Sequence, residues 1–227
     1  MLISGLIKSS LIDFPGLISC VLFVPGCNYN CFYCHNRLLL DNTPSLIKAE
    51  DVEKFLKKRT GKLDGVVISG GEPTLQIGLL PYMKMVKSMG FKLKLDTNGS
   101  APDIIEEILE NGICDYFAVD YKAPQNRYKE ICGNGADAQK VLDTINLLLD
   151  KNADFEVRTT VIPQLKQDDL ILMANEIPKV SRYVLNRYRP PENHLPCDKA
   201  RVSQKPYSQS QINEFKNIIR CIQPNTV

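Results

Sequence analysis

The sequence predicts an α/β fold: a partial (β/α)6 barrel of parallel strands, open on one side. Three observations lead there. Six short, apolar, β-branched segments alternate with six longer amphipathic ones along the chain. Six such units are too few to close an eight-fold barrel. Several predicted strands also end in polar or glycine-rich residues, at the edge where parallel α/β proteins build their active sites.

The predicted strands, in order, are Cys20 to Val24, Gly65 to Ile68, Lys92 to Leu95, Tyr116 to Val119, Phe155 to Ile162 and Tyr183 to Tyr188. Helical patterns lie between and after them: Ala49 to Arg59, Gly78 to Met89, Pro102 to Glu110, Ala138 to Asp150, Gln167 to Ile177 and Ser208 to Ile219. Pro102 suits a first helical turn, and Ser208 suits an N-cap. Residues 1–18 lead into the barrel, Pro190 to Pro206 forms a loop, and the last helix lies within about 208–221. The whole chain, 1–227, is expected to be a single domain.

Composition narrows the class. A hydrophobic fraction of 44% and a charged fraction of 24% suit a globular protein with a substantial core. A net charge of +2 without a basic run gives no reason to expect nucleic acid as a partner. The N-terminus lacks the charged and apolar regions of a signal peptide, and no stretch of about 18 apolar residues could span a membrane. A cytoplasmic location and no membrane partner are therefore expected. Eight cysteines in such a chain suggest metal or cluster ligation wherever they group.

They group once. Cys27, Cys31 and Cys34 fall within eight residues, directly after the first predicted strand and Pro25-Gly26. Three thiolates so close can hold three corners of a cubane 4Fe–4S cluster. With no fourth cysteine nearby, one iron would stay open to an exogenous ligand, as catalytic metals require. The competing assignment is structural zinc with His35 as fourth ligand, in a non-catalytic interaction protein. Adjacent residues rarely reach one tetrahedral ion, however, and a second CxxC pair is missing.

The CxxxCxxC spacing, with Tyr33 just before its last cysteine, resembles the signature of the radical S-adenosylmethionine enzymes. The resemblance implies that the cysteines are catalytic and that the open iron chelates the methionine moiety of S-adenosylmethionine. Electron transfer then yields methionine and a 5′-deoxyadenosyl radical. It also implies that Tyr33 meets the adenine. Ser69-Gly70-Gly71-Glu72-Pro73 ends the second predicted strand. Alone, a Gly-Gly turn more often means a tight loop. At this place in the family, a GGEP-type motif binds the methionine amino group.

Asp96-Thr97-Asn98-Gly99 and Asp120-Tyr121-Lys122 end the next two strands. Each by itself could be a turn or a solvated terminus. Together they resemble the activating enzymes of glycyl-radical enzymes, which implies that Asp96, Thr97 and Asp120 help bind a monovalent cation beside the cofactor carboxylate. Lys122 would approach the cofactor. Arg158 matches a family arginine near the cofactor, although an ordinary intraprotein ion pair suits it as well. His194 falls where relatives place a histidine near the ribose. The remaining cysteines, Cys20, Cys114, Cys132, Cys197 and Cys221, show no clustered spacing. None lies between Cys34 and Gly70, so one cluster is expected.

The stretch Ser9-Ser10-Leu11-Ile12-Asp13-Phe14-Pro15-Gly16 and the single cluster most resemble activators of anaerobic ribonucleoside-triphosphate reductase. The implied activity is hydrogen abstraction from a glycine of that partner, with electrons from a donor such as flavodoxin or ferredoxin. The alternative is a radical enzyme acting on a small molecule, as in deazapurine synthesis.

Overall fold

The computed structural model describes residues 1–40 and 45–227. Seven strands among the described residues form one sheet in the order β1-β2-β3-β4-β5-β6-β7. They are β1 (Gly5–Ser10), β2 (Ser19–Val24), β3 (Gly65–Gly70), β4 (Lys92–Thr97), β5 (Tyr116–Asp120), β6 (Phe155–Val161) and β7 (Tyr183–Arg187). The helices are α1 (Ala49–Arg59), α2 (Leu79–Ser88), α3 (Pro102–Glu110), α4 (Tyr128–Cys132), α5 (Ala138–Asp150), α6 (Gln167–Glu176), α7 (Lys199–Val202) and α8 (Gln209–Ile219). The α/β class and the open, largely parallel sheet agree with expectation. The sheet exceeds it by one strand, because β1 pairs antiparallel with β2 at the edge. The segment GLIKSS is half-exposed and has no apolar run, so its strand character comes from pairing. No helix of the described residues is long and apolar enough to cross a membrane.

The chain divides into two compact units: Met1–Cys27, Leu38–Thr97 and Asp103–Ala118 in one, and Asn28–Arg37, Asn98–Pro102 and Val119–Val227 in the other. In the first unit β2, β3 and β4 run parallel in strict register, with Val21 opposite Val67 and Val67 opposite Lys94. One face of these strands buries Cys20, Leu22, Val66, Ile68, Leu93 and Leu95 completely. Helices α1 to α3 bury Val52, Leu56, Met83, Val86, Ile105 and Ile108. Each such side chain contributes roughly 1.5–3 kcal/mol of hydrophobic stabilisation. On the other face Phe14 packs with Val21 and Val67, flanked by Leu17, Phe23 and Tyr116. The Ser10–Phe14 turn is held by a Ser10–Asp13 side-chain hydrogen bond.

In the second unit β6 and β7 are parallel, with Thr159 opposite Leu185. Helices α5, α6 and α8 bury Val141, Ile145, Leu148, Leu170, Met173, Ile212 and Ile219. Ser208 caps α8, its hydroxyl accepting from Gln211 N–H. Beyond β7, residues 225–227 hydrogen-bond to its outer edge through Tyr183 and Leu185.

Candidate active site

The sequence-predicted residues fall into both units. Cys27, Ser69, Gly70, Gly71, Glu72, Asp96 and Thr97 belong to the first. In it, β3 runs into a turn that lies tight against the backbone after β2. Gly71 N–H donates to Val24 O at 2.8 Å, and Glu72 N–H donates to Gly26 O at 2.7 Å. A Cβ on Gly71 would lie 1.9 Å from Gly26 O, and Gly70 has φ +120° with Val24 N only 2.4 Å from a Cβ. The glycine pair is thus demanded by backbone on backbone, next to Cys27.

Glu72 is fully buried, and its Oε1 accepts from Thr74 N–H at 3.0 Å, Thr74 Oγ1 at 2.7 Å and Thr97 Oγ1 at 2.8 Å. Three donors on one oxygen fix this carboxylate as a brace between two strand ends. Thr97 acts as one of those donors. Asp96 accepts from Ser69 Oγ at 3.3 Å and forms an ion pair with Lys94 Nζ at 2.9 Å. Lys94 is buried and also donates to Asp13 O at 2.6 Å. This lysine was overlooked in the sequence. Its signal was there: in a strand, residues i and i+2 share a face, so Lys94 stands beside Asp96.

Cys31, Tyr33, Cys34, Asp120, Lys122, Arg158 and His194 belong to the second unit. The cysteine loop is anchored there at several points. Asn28 accepts from Asn98 Nδ2 at 2.9 Å and donates to Ser100 Oγ at 2.8 Å. The asparagine of the DTNG stretch therefore braces the loop. Gly99, at φ +74°, fits closely against Val141 and Val119, where a Cβ would come within 2.9 Å and 3.0 Å. Asn30 N–H donates to Cys132 O at 2.8 Å, and Gly133, φ +93°, closes on Asn30. Phe32 lies under the Arg201 guanidinium at 3.8 Å, while Tyr33 meets Phe32 and Tyr188 edge-on.

Cys31 is buried, and a hydrogen bond with Cys132 lowers the pKa of its thiol. Burial and the nearby Cys31 raise that of Cys34. Cys132 is the second residue that spacing missed, since about a hundred positions separate it from the triad. Asp120 stands between two cations, with Lys122 Nζ at 2.9 Å from one oxygen and Arg158 Nε at 2.9 Å from the other. Burial would raise its pKa, but the Arg158 and Lys122 charges outweigh that and hold the carboxyl well below the usual range. Arg158 is thus engaged in an intraprotein ion pair. The trio carries one excess positive charge, a balance suited to an anionic group. His194 contacts the Leu195 carbonyl through Nδ1 at 3.0 Å. His35 is exposed, and its ring hydrogen-bonds to the Arg189 backbone.

Among the described residues none of the eight cysteines takes part in a disulfide. Among the described residues no three His, Cys, Asp or Glu side chains gather as the shell of a single metal ion. A cubane places its thiolates on three different irons, so its ligands need not converge on one point. The donor set fits a cluster: three thiols within eight residues, beside a buried Tyr33 hydroxyl that has no hydrogen-bond partner among the described residues.

The chain belongs to the radical SAM superfamily, which residues 21–177 match. That family works with a 4Fe–4S cluster and S-adenosylmethionine. Its relatives narrow the position within the family. A Methanocaldococcus jannaschii protein bearing the provisional name of a glycyl-radical enzyme activating enzyme is 34% identical over 199 residues, 83% of this chain and 80% of its own. The pyruvate formate-lyase-activating enzyme of Clostridium pasteurianum is 30% identical over 189 residues, 75% of this chain and 73% of its own. Among solved structures, TYW1 with a lysine-pyruvate adduct bound shares the fold, with a TM-score of 0.62 and 22% identity over 91% of this chain and 73% of that one.

Proposed function

We propose that the chain is an activase, which cleaves S-adenosylmethionine reductively and takes a hydrogen atom from a glycine of a partner enzyme. The observation that carries this reading is the similarity to two activating enzymes over most of both lengths. The intact cysteine triad and Gly70-Gly71-Glu72-Pro73 support it.

Cys27, Cys31 and Cys34 would hold a 4Fe–4S cluster, which would supply the electron for the cleavage and an open iron for the methionine moiety. The residues of the chain hold the cofactor around it. With the Glu72 carboxylate already engaged by three donors, the Ser69 to Glu72 turn would hold the methionine ammonium through its backbone. The excess positive charge of Lys122 and Arg158 over Asp120 meets the carboxylate. The Tyr33 backbone would meet the adenine, and His194 would serve the ribose. Asp96 and Thr97 line the carboxylate end.

The partner is a glycyl-radical enzyme of the anaerobic ribonucleoside-triphosphate reductase class. The Ser9-Ser10-Leu11-Ile12-Asp13-Phe14-Pro15-Gly16 stretch supports that choice. Flavodoxin or ferredoxin supplies the reducing electron.

Anaerobic reconstitution with iron and sulfide, followed by reduction with S-adenosylmethionine present, tests the chemistry. The expected product is 5′-deoxyadenosine, and none despite a full cluster would sink the mechanism. With the reductase added, electron paramagnetic resonance should show a glycyl radical. Turnover of a small molecule with no protein partner would favour the rival reading. Cys31→Ala should lose the cluster and Cys114→Ala should keep it, because the Cys114 thiol is hydrogen-bonded to the Leu93 and Tyr116 carbonyls. Equal iron content in both variants would refute the ligand assignment.

A further inference from the structure

Lys94 is a lysine in the middle of a buried parallel strand, only 2% exposed. Its strand neighbours in register are Val67 and, one strand further, Val21, both in the apolar cluster around Phe14. An ammonium in such surroundings is strongly unfavourable unless it is paired. Two separate pieces of chain do the pairing. The Ser10–Phe14 turn brings the Asp13 carbonyl to 2.6 Å from Nζ, and Asp96 Oδ1 lies 2.9 Å away. A lysine so built in acts as a fixed positive charge on the carboxylate that closes β4.

We propose that Lys94 is the resident cation of this site: it balances and orients Asp96, so that S-adenosylmethionine binds without a sodium or potassium ion. The proposal rests on the reading that Asp96 lines the carboxylate end of the cofactor. Lys94 touches Asp96 and acts through it, as a positioning residue. An ammonium and an alkali ion are both compact monovalent cations held by hard oxygens. Removing the ammonium leaves the Asp13 carbonyl and the Asp96 carboxylate facing one buried space, a pair of oxygens suited to an alkali ion.

The test measures S-adenosylmethionine affinity by equilibrium dialysis of the anaerobically reconstituted protein. Potassium, sodium and choline buffers of equal ionic strength are compared. Wild-type affinity should be the same in all three. In choline, Lys94→Met should bind about tenfold more weakly, the loss expected when the charged partner of a carboxylate goes. Potassium or sodium should restore most of that loss, and Lys94→Arg should stay independent of the salt. A merely structural lysine would not make affinity depend on the cation. Wild-type binding that collapses in choline overturns the proposal, as does Lys94→Met binding equally in all three salts. The wild-type comparison decides alone if Lys94→Met does not fold. Wild type with a full cluster and no binding in any salt would instead overturn the cofactor reading, and Lys94 with it.

Discussion

Single residues at this site answer to neighbours that sequence does not display. Glu72 shows the point. Its position in the GGEP motif suggests a side chain for the methionine ammonium, yet its carboxylate braces Thr74 and Thr97. The two glycines before it likewise serve close packing on Val24 and Gly26. Gly71→Ala would push a methyl group into Gly26 O and should destabilise the protein by about 3 kcal/mol, measured by denaturant unfolding. The displaced Gly26-Cys27 backbone should also lower iron uptake on reconstitution. An alanine variant of wild-type stability would show that the turn relaxes freely.

At the scale of elements, β4 and β5 are joined through Asp115. Its carboxylate takes Lys87 Nζ at 2.6 Å, Lys92 Nζ at 3.0 Å and Leu93 N–H at 2.7 Å. Burial acts to raise its pKa, but the Lys87 hydrogen bond, the Leu93 amide and Lys92 together lower it. A lowered folded-state value means that the carboxylate stabilises the protein above its unfolded pKa, and that this is lost as pH falls through the folded one. Asp115→Asn should therefore be less stable by roughly 1–2 kcal/mol at neutral pH. The gap should shrink as pH falls below the ordinary carboxylate range of about 4 and close once pH lies below the lowered folded-state value. Unfolding curves across that range check it, and a constant gap would count against the ion pairs. Element prediction succeeded where periodicity was long: α1, α3 and α5 have the bounds that the sequence suggests. It missed β1, whose strand character comes from pairing, and α4, which has five residues and too few turns to show a period.

For the molecule as a whole, a sheet that runs from β1 to β7 has two edge strands to protect. At β1, Lys8 and Ser9 face solvent. At β7, residues 225–227 add backbone hydrogen bonds. Gln223 fastens that segment, accepting from Val180 N–H at 3.2 Å and donating to Ala174 O at 3.0 Å, Pro178 O at 3.1 Å and Ile177 O at 3.2 Å. Deleting 223–227 should lower stability by about 3 kcal/mol or more. It should also produce oligomers on size-exclusion chromatography, since an uncovered edge invites pairing between chains. A monomeric deletion variant of unchanged stability would show that β7 needs no cover.

The sequence by itself determined the α/β class, the strand and helix alternation and the radical SAM family, because periodicity and local motif spacing are properties of contiguous chain. Tertiary structure decided which partner each polar group takes. Asp96 with Lys94 is legible in hindsight at i, i+2, but Asp13, eighty-one positions from Lys94, is not. The same holds for Cys31 with Cys132 and for Asn28 with Asn98. Such pairs form because a buried donor or charge must find a partner in space, and the fold alone sets which groups come within reach.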